Sequence, residues 1–181
     1  PEPEVKKAGA IQRDGYRIEK WVIQPEEGVQ LPALWVMPEE VEGGACLYLH
    51  GGAKTVDAGQ EGPIVEMVKQ GRSVLAVDLR GIGETEGRTR HKSWVRYFGP
   101  DWQDFFLAYL LDKSFVGMRA EDALVCARYL WRKTGQPVDL IAIGEATVPA
   151  LHAAALETEL FERMHFKRGL RSWADVVAGP V

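Results

Sequence analysis

The chain has 181 residues, 46 % of them apolar, with 26 acidic against 22 basic side chains and a formal net charge of −4. That length and composition fit one globular domain and exclude a disordered, collagen-like or coiled-coil chain. A pI near 5.6 argues against nucleic acid as a partner, since phosphate binding concentrates Lys and Arg, and no uncharged apolar run approaches the ~20 residues that span a bilayer.

Residues 1–14 carry two prolines, mixed charge and little periodicity, so a linker or arm is expected there, ahead of a domain over 15–181. The chain begins at Pro1 and not Met, which leaves a removed signal peptide or a preceding domain open, and the compartment with it. Tyr16–Gln24 alternates, and Leu31–Met37 is rich in strand formers with Pro32 at its start. Pro25-Glu26-Glu27-Gly28 between them is turn chemistry and predicts an antiparallel hairpin.

From Ala45 the rhythm becomes short apolar strand followed by helix. Strands are predicted at Ala45–Leu49, Ser73–Asp78, Val138–Ile143 and, more polar, Met164–Leu170. Helices are predicted at Ile64–Lys69, Met118–Lys133, Val148–Leu156 and Trp173–Ala178, with Gly71 and Gly135 as stops and Pro149 tolerable in a first turn. Such alternation means a parallel sheet covered on both faces. Cys46 and Cys126 sit in apolar runs, form no C-x-x-C pair and read as buried hydrophobes.

Residues 87–115 break the rhythm. Arg88, Arg90, His91 and Lys92 are followed by eight of the 17 aromatic residues between Trp94 and Phe115. This segment is either an excursion packed on the sheet by its aromatics, or a cleft wall or docking surface.

Open α/β sheets place ligands at the C-terminal ends of their strands, where three loops stand out. His50-Gly51-Gly52 follows the first buried strand, and its glycines would let backbone N–H groups approach a developing oxyanion. Asp78-Leu79-Arg80-Gly81-Ile82-Gly83 follows the second. Its next glycine is Gly87 and no helix opens at once, which excludes a dinucleotide fingerprint. Gly144-Glu145-Ala146-Thr147-Val148 joins the third strand to an apolar helix. No His, Cys, Asp and Glu spacing suggests a metal site, and no cofactor is expected.

In order and spacing these loops resemble the α/β-hydrolase family, with its HG oxyanion loop, D-x-R-G-x-G loop and nucleophile elbow, across residues 15–178. More finely, the chain is similar to bacterial acetyl xylan esterase-like proteins, in which two hydrolase-type domains occur in tandem, and resembles the second, degenerate one. The resemblance implies a three-layer α/β/α sandwich, its mostly parallel sheet carrying an N-terminal antiparallel hairpin and truncated after the sixth strand. An active elbow reads G-x-S-x-G. Aligning Gly144 with the first glycine puts Ala146 at the nucleophile and Val148 at the second glycine, so the nucleophile position is vacant. An engineered Ser→Ala would have left that glycine in place, so natural loss is the better explanation.

The resemblance leaves a vestigial oxyanion loop of His50, Gly51, Gly52 and Thr147, and a pocket rim of Asp78, Arg80, Gly144 and Glu145. Glu145 is expected to be solvated or paired with an arginine, Arg80 and Arg119 being the candidates. None of His50, His91, His152 and His165 holds the late position of a catalytic His. The expected function is a catalytically degenerate domain supporting a carbohydrate esterase. Its partner would be another domain or chain of the same protein, or a second copy, and a carbohydrate ester would be the parent enzyme's substrate. The alternatives are an active ester hydrolase whose triad residues lie outside this segment, and a carbohydrate- or acyl-binding module using the vestigial pocket lined by His50, Glu145 and the aromatic segment.

Overall fold

The computed structural model describes residues 2–87, 92–170 and 172–178. Seven strands form one mixed sheet: β1 (Glu4–Arg13), β2 (Tyr16–Gln24), β3 (Leu31–Pro38), β4 (Ala45–His50), β5 (Ser73–Val77), β6 (Val138–Ile143) and β7 (Phe161–Lys167), in the spatial order β1-β2-β3-β5-β4-β6-β7. β1, β2, β3 and β5 pair antiparallel, while β5, β4, β6 and β7 run parallel. The helices are α1 (Pro63–Lys69), α2 (Lys92–Phe98), α3 (Trp102–Leu110), α4 (Phe115–Thr134), α5 (Thr147–Leu156) and α6 (Trp173–Ala178).

β5 and β6 are buried at every position and β4 at all but His50, which is why they read as unbroken apolar runs. Period-2 alternation then sorts their side chains. Leu47, Leu49, Leu75, Val77, Leu140 and Ala142 face one core with α4 and α5, whereas Cys46, Tyr48, Val74, Ala76, Ile141 and Ile143 face a second with α1. Ala123 and Ala127 of α4 and Ala150 and Ala153 of α5, all fully buried, let those helices lie close to the sheet. Ser114 caps α4, its side chain accepting from the Gly117 N–H at 3.1 Å, and Gly135 ends it in the left-handed conformation at φ 74°. The sheet thus lies between two helical layers, the three-layer α/β/α sandwich expected from the sequence.

Two expectations need correction. Residues 1–14 are not a free arm, because Glu4–Arg13 pairs with β2 from Glu4↔Gln24 to Arg13↔Tyr16, with an irregularity between Lys7 and Gly9. The signal was Asp14-Gly15 between the two runs, a two-residue hairpin turn whose Gly15 takes φ 78°. The prolines and Lys6-Lys7 hid it. The last strand lies three residues earlier than predicted. Register with β6 runs from Val138↔Phe161 to Ile143↔Lys167, and Arg168 then turns to φ 55°, ending the strand. The β2–β3 hairpin forms as expected. Of the basic excursion, Arg88, Arg90 and His91 lie outside the described residues.

Burial pushes the Cys46 thiol up to about 12, and raises the Cys126 thiol further. Thiolate is the reactive species, so neither cysteine should react with a disulfide reagent at pH 8 in the folded chain. Both should react on unfolding in guanidinium, a difference that thiol titration reads directly.

Candidate functional site

The three loops converge at the C-terminal ends of β4, β5 and β6. After β4, the Gly51 N–H donates to the Ile143 carbonyl at 2.9 Å and the Gly52 N–H to His50 Nδ1 at 2.9 Å. Nδ1 is thus an acceptor, which puts the proton of the neutral His50 ring on Nε2. A Cβ on Gly51 would stand 2.7 Å from the Glu145 nitrogen, so only glycine lets this loop lie against the elbow. At the start of α5 the Thr147 N–H is bonded to the Gly144 and Glu145 carbonyls, and its hydroxyl donates to the Gly144 carbonyl at 2.7 Å. The backbone donors of the expected oxyanion loop are therefore turned inward.

The geometry of the elbow shifts the expected register by two residues. A nucleophile elbow holds its side chain exposed on a strained strand-to-helix turn. Ala146 meets neither condition: its backbone is helical (φ −67°, ψ −14°) and it is 1 % exposed, inside the α4–α5 core. The residue at the turn is Gly144, at φ 64°, and a Cβ built there meets nothing within 4 Å. The segment with elbow geometry is thus Ala142-Ile143-Gly144-Glu145-Ala146, with small buried residues two positions to either side. Val148 is then no obstacle, because Ala146 fills the place of the second glycine. Neither Gly144 nor Ala146 offers a nucleophilic atom.

The expected pocket rim is not assembled. Asp78 is wholly buried, accepting from the Lys54 N–H at 2.5 Å, the Lys54 ammonium at 2.7 Å and the Glu84 N–H at 3.0 Å. The same ammonium reaches the Glu84 carboxylate. A Cβ on Gly83 would sit 2.5 Å from Asp78 carboxylate atoms, so the loop after β5 wraps directly around that group. Arg80 is a bracket to α4, bonding Asp122 at 2.5 and 2.8 Å and Glu26 at 2.9 Å. Burial raises the Asp122 carboxyl above its ordinary range, with the paired Arg80 guanidinium pulling the other way. Arg119 binds Asp101 at 2.9 Å and the Arg80 and Gly81 carbonyls at 2.8 and 3.2 Å. Both arginines are therefore committed elsewhere, and the exposed Glu145 pairs with neither.

A cavity of about 520 Å³ opens beside α5, lined by Thr147, Val148, Leu151, His152, Phe166 and Arg168 among others, but not by His50, Asp78, Arg80, Gly144 or Glu145. Lys54 and Asp122, which organise the loops, carried no sequence signal. A lysine in the loop after Gly51-Gly52-Ala53 reads as a solvated residue, and an aspartate in mid-helix as a polar face.

Neither protein-family models nor curated sequences match the chain. Among solved structures it is similar to a Bacteroides fragilis protein assigned as an acetyl xylan esterase, at TM-score 0.68 and 20 % identity over 90 % of this chain and 48 % of that one. It is similar to acetyl xylan esterase 1 from Thermoanaerobacterium sp., at TM-score 0.63 and 19 % identity over 91 % and 51 % of the two chains. It also matches the acetyl xylan esterase from Paenibacillus sp. R4, at TM-score 0.62 and 16 % identity over 88 % and 52 %. The chain spans about half the length of these proteins, and at such identities the likeness is one of fold.

The two elbow positions should respond differently to substitution. Ala146→Ser puts a hydroxyl into the core and should cost about 1–3 kcal/mol. Gly144→Ala meets no steric obstacle and should cost about 1–2 kcal/mol through its left-handed backbone alone. Lys54→Met strands the Asp78 carboxylate and should cost about 3–5 kcal/mol. Urea unfolding midpoints check all three.

Proposed function

We propose that this chain is a catalytically silent hydrolase-fold domain that supports an esterase acting on acetylated polysaccharide, and does not itself perform the reaction. The elbow carries the reading. Acyl transfer by this fold needs a nucleophile on the strained turn, a base to take its proton and N–H groups aimed at the oxyanion. Here the turn residue is Gly144, which has no nucleophilic atom, and the Gly51 and Gly52 N–H groups are bonded within the protein. Thr147 is no substitute nucleophile, being 5 % exposed with its hydroxyl bonded to Gly144. Of the described histidines, His152 and His165 are exposed on α5 and β7, and His50 holds its own loop.

The substrate class comes from the three acetyl xylan esterases, and belongs in this reading to a catalytic partner domain. What this chain offers such a partner is a sheet and loop scaffold of hydrolase shape, closed by internal hydrogen bonds.

The chain should not hydrolyse p-nitrophenyl acetate above the buffer rate, nor take up a serine-directed phosphonate. Gly144→Ser should remain silent, because a hydroxyl without a base is unactivated. Turnover or stoichiometric labelling of the unaltered chain would overturn the catalytic reading. A gene lacking any adjoining domain with an intact Gly-x-Ser-x-Gly would overturn the supporting role separately.

A further inference from the structure

We propose that the α2–α3 face is the contact between two copies of this chain, an inference that does not rest on the reading of catalytic loss. The only buried residue of α3 is Ala108, while Tyr109, Leu110 and the following Leu111 are 72, 78 and 70 % exposed. Exposed large apolar side chains at this density mark an interaction surface. Beside it, Trp94 stacks on Phe98 at 5.6 Å and on Trp102 at 5.5 Å, and Phe98 meets Phe106 edge-on at 5.8 Å. The rings are thus already fixed against one another, so docking on them costs little further side-chain entropy.

The size of the face fits a dimer. Nine large apolar side chains between Trp94 and Leu111 are each more than a third exposed. Together they present on the order of 1,000 Å², enough for the ~800 Å² that each partner gives to a standard interface.

Charge selects the occupant. With its flanking charges counted, residues 84–113 hold Arg88, Arg90, Lys92, Arg96 and Lys113 against Glu84, Glu86, Asp101, Asp104 and Asp112, so the segment is neutral and the chain's net −4 resides elsewhere. An anionic membrane or a polyanion would call for a basic surplus around the patch. A two-fold contact sets one patch against itself and therefore suits equal numbers of both signs.

Light scattering and sedimentation equilibrium across a dilution series test this. The wild-type chain should weigh twice its 20.2 kDa at micromolar concentration and dissociate on dilution. Tyr109→Glu and Leu110→Glu should each weaken the dimer by at least about 100-fold, since each change occurs twice in an isologous contact. Circular dichroism should be unchanged in both. Met164→Lys, on the exposed β7, should leave the dimer intact. If either glutamate disturbs the fold, hydrogen exchange of the native chain decides, with α2 and α3 amides gaining protection as concentration rises. A wild-type monomer throughout, a dimer indifferent to both glutamates, or a dimer abolished by Met164→Lys would each overturn the proposal.

Discussion

A carboxylate with no exposed surface must be matched by a cation and by hydrogen-bond donors, and at Asp78 that requirement organises the loops after β4 and β5. Lys54 comes from the loop after β4, and Glu84 from beyond the loop after β5. Binding both to one buried group fixes the two loops relative to each other. Arg80, two residues past Asp78, then bonds Asp122 in the middle of α4. Arg119 returns from α4 to the carbonyls of Arg80 and Gly81. The result is a set of ion pairs and hydrogen bonds that ties loop to loop and loop to helix, anchored on the buried carboxylates of Asp78 and Asp122.

That network holds the loops after β4 and β5 in place beside the elbow after β6. The strand-to-helix turn after β6 retains its left-handed residue and the small neighbours that allow close approach, and Gly51 still lies against it. What differs is where the donors point. N–H groups aimed at a substrate oxygen must be left unpaired in the resting protein and are costly to hold so. In this chain the Gly51 and Gly52 N–H groups close instead on Ile143 and His50.

Much of the fold was legible because the central strands are buried on both faces and helix α4 is long and strongly patterned. The β2–β3 hairpin, the three buried strands and the glycine stops all follow from local rules. The site was less legible, and for a definite reason. A one-dimensional motif match can be satisfied in two registers when small residues recur, and the run Ala142 to Ala146 offers both. Backbone dihedrals separate them, and a sequence does not print dihedrals. Lys54 was invisible on similar grounds, since its burial depends on a partner 24 positions away. At β1 the turn signal was present, but composition outweighed it.

The mixed sheet also has consequences for the order in which the chain can assemble. β1, β2 and β3 form a meander whose pairings join near neighbours along the chain. The parallel half is different: β4 meets β6 by bringing Cys46 to Asp139, across two helical layers of intervening sequence. Loop-closure entropy opposes the second kind of contact far more than the first, and hairpins close within microseconds while distant pairings govern the overall rate. The N-terminal meander therefore stands as a ready template, with β3 offering its free side to β5. The pairing of β6 with β4 joins the most distant segments in the sheet and carries the largest closure cost, and it brings the elbow with it.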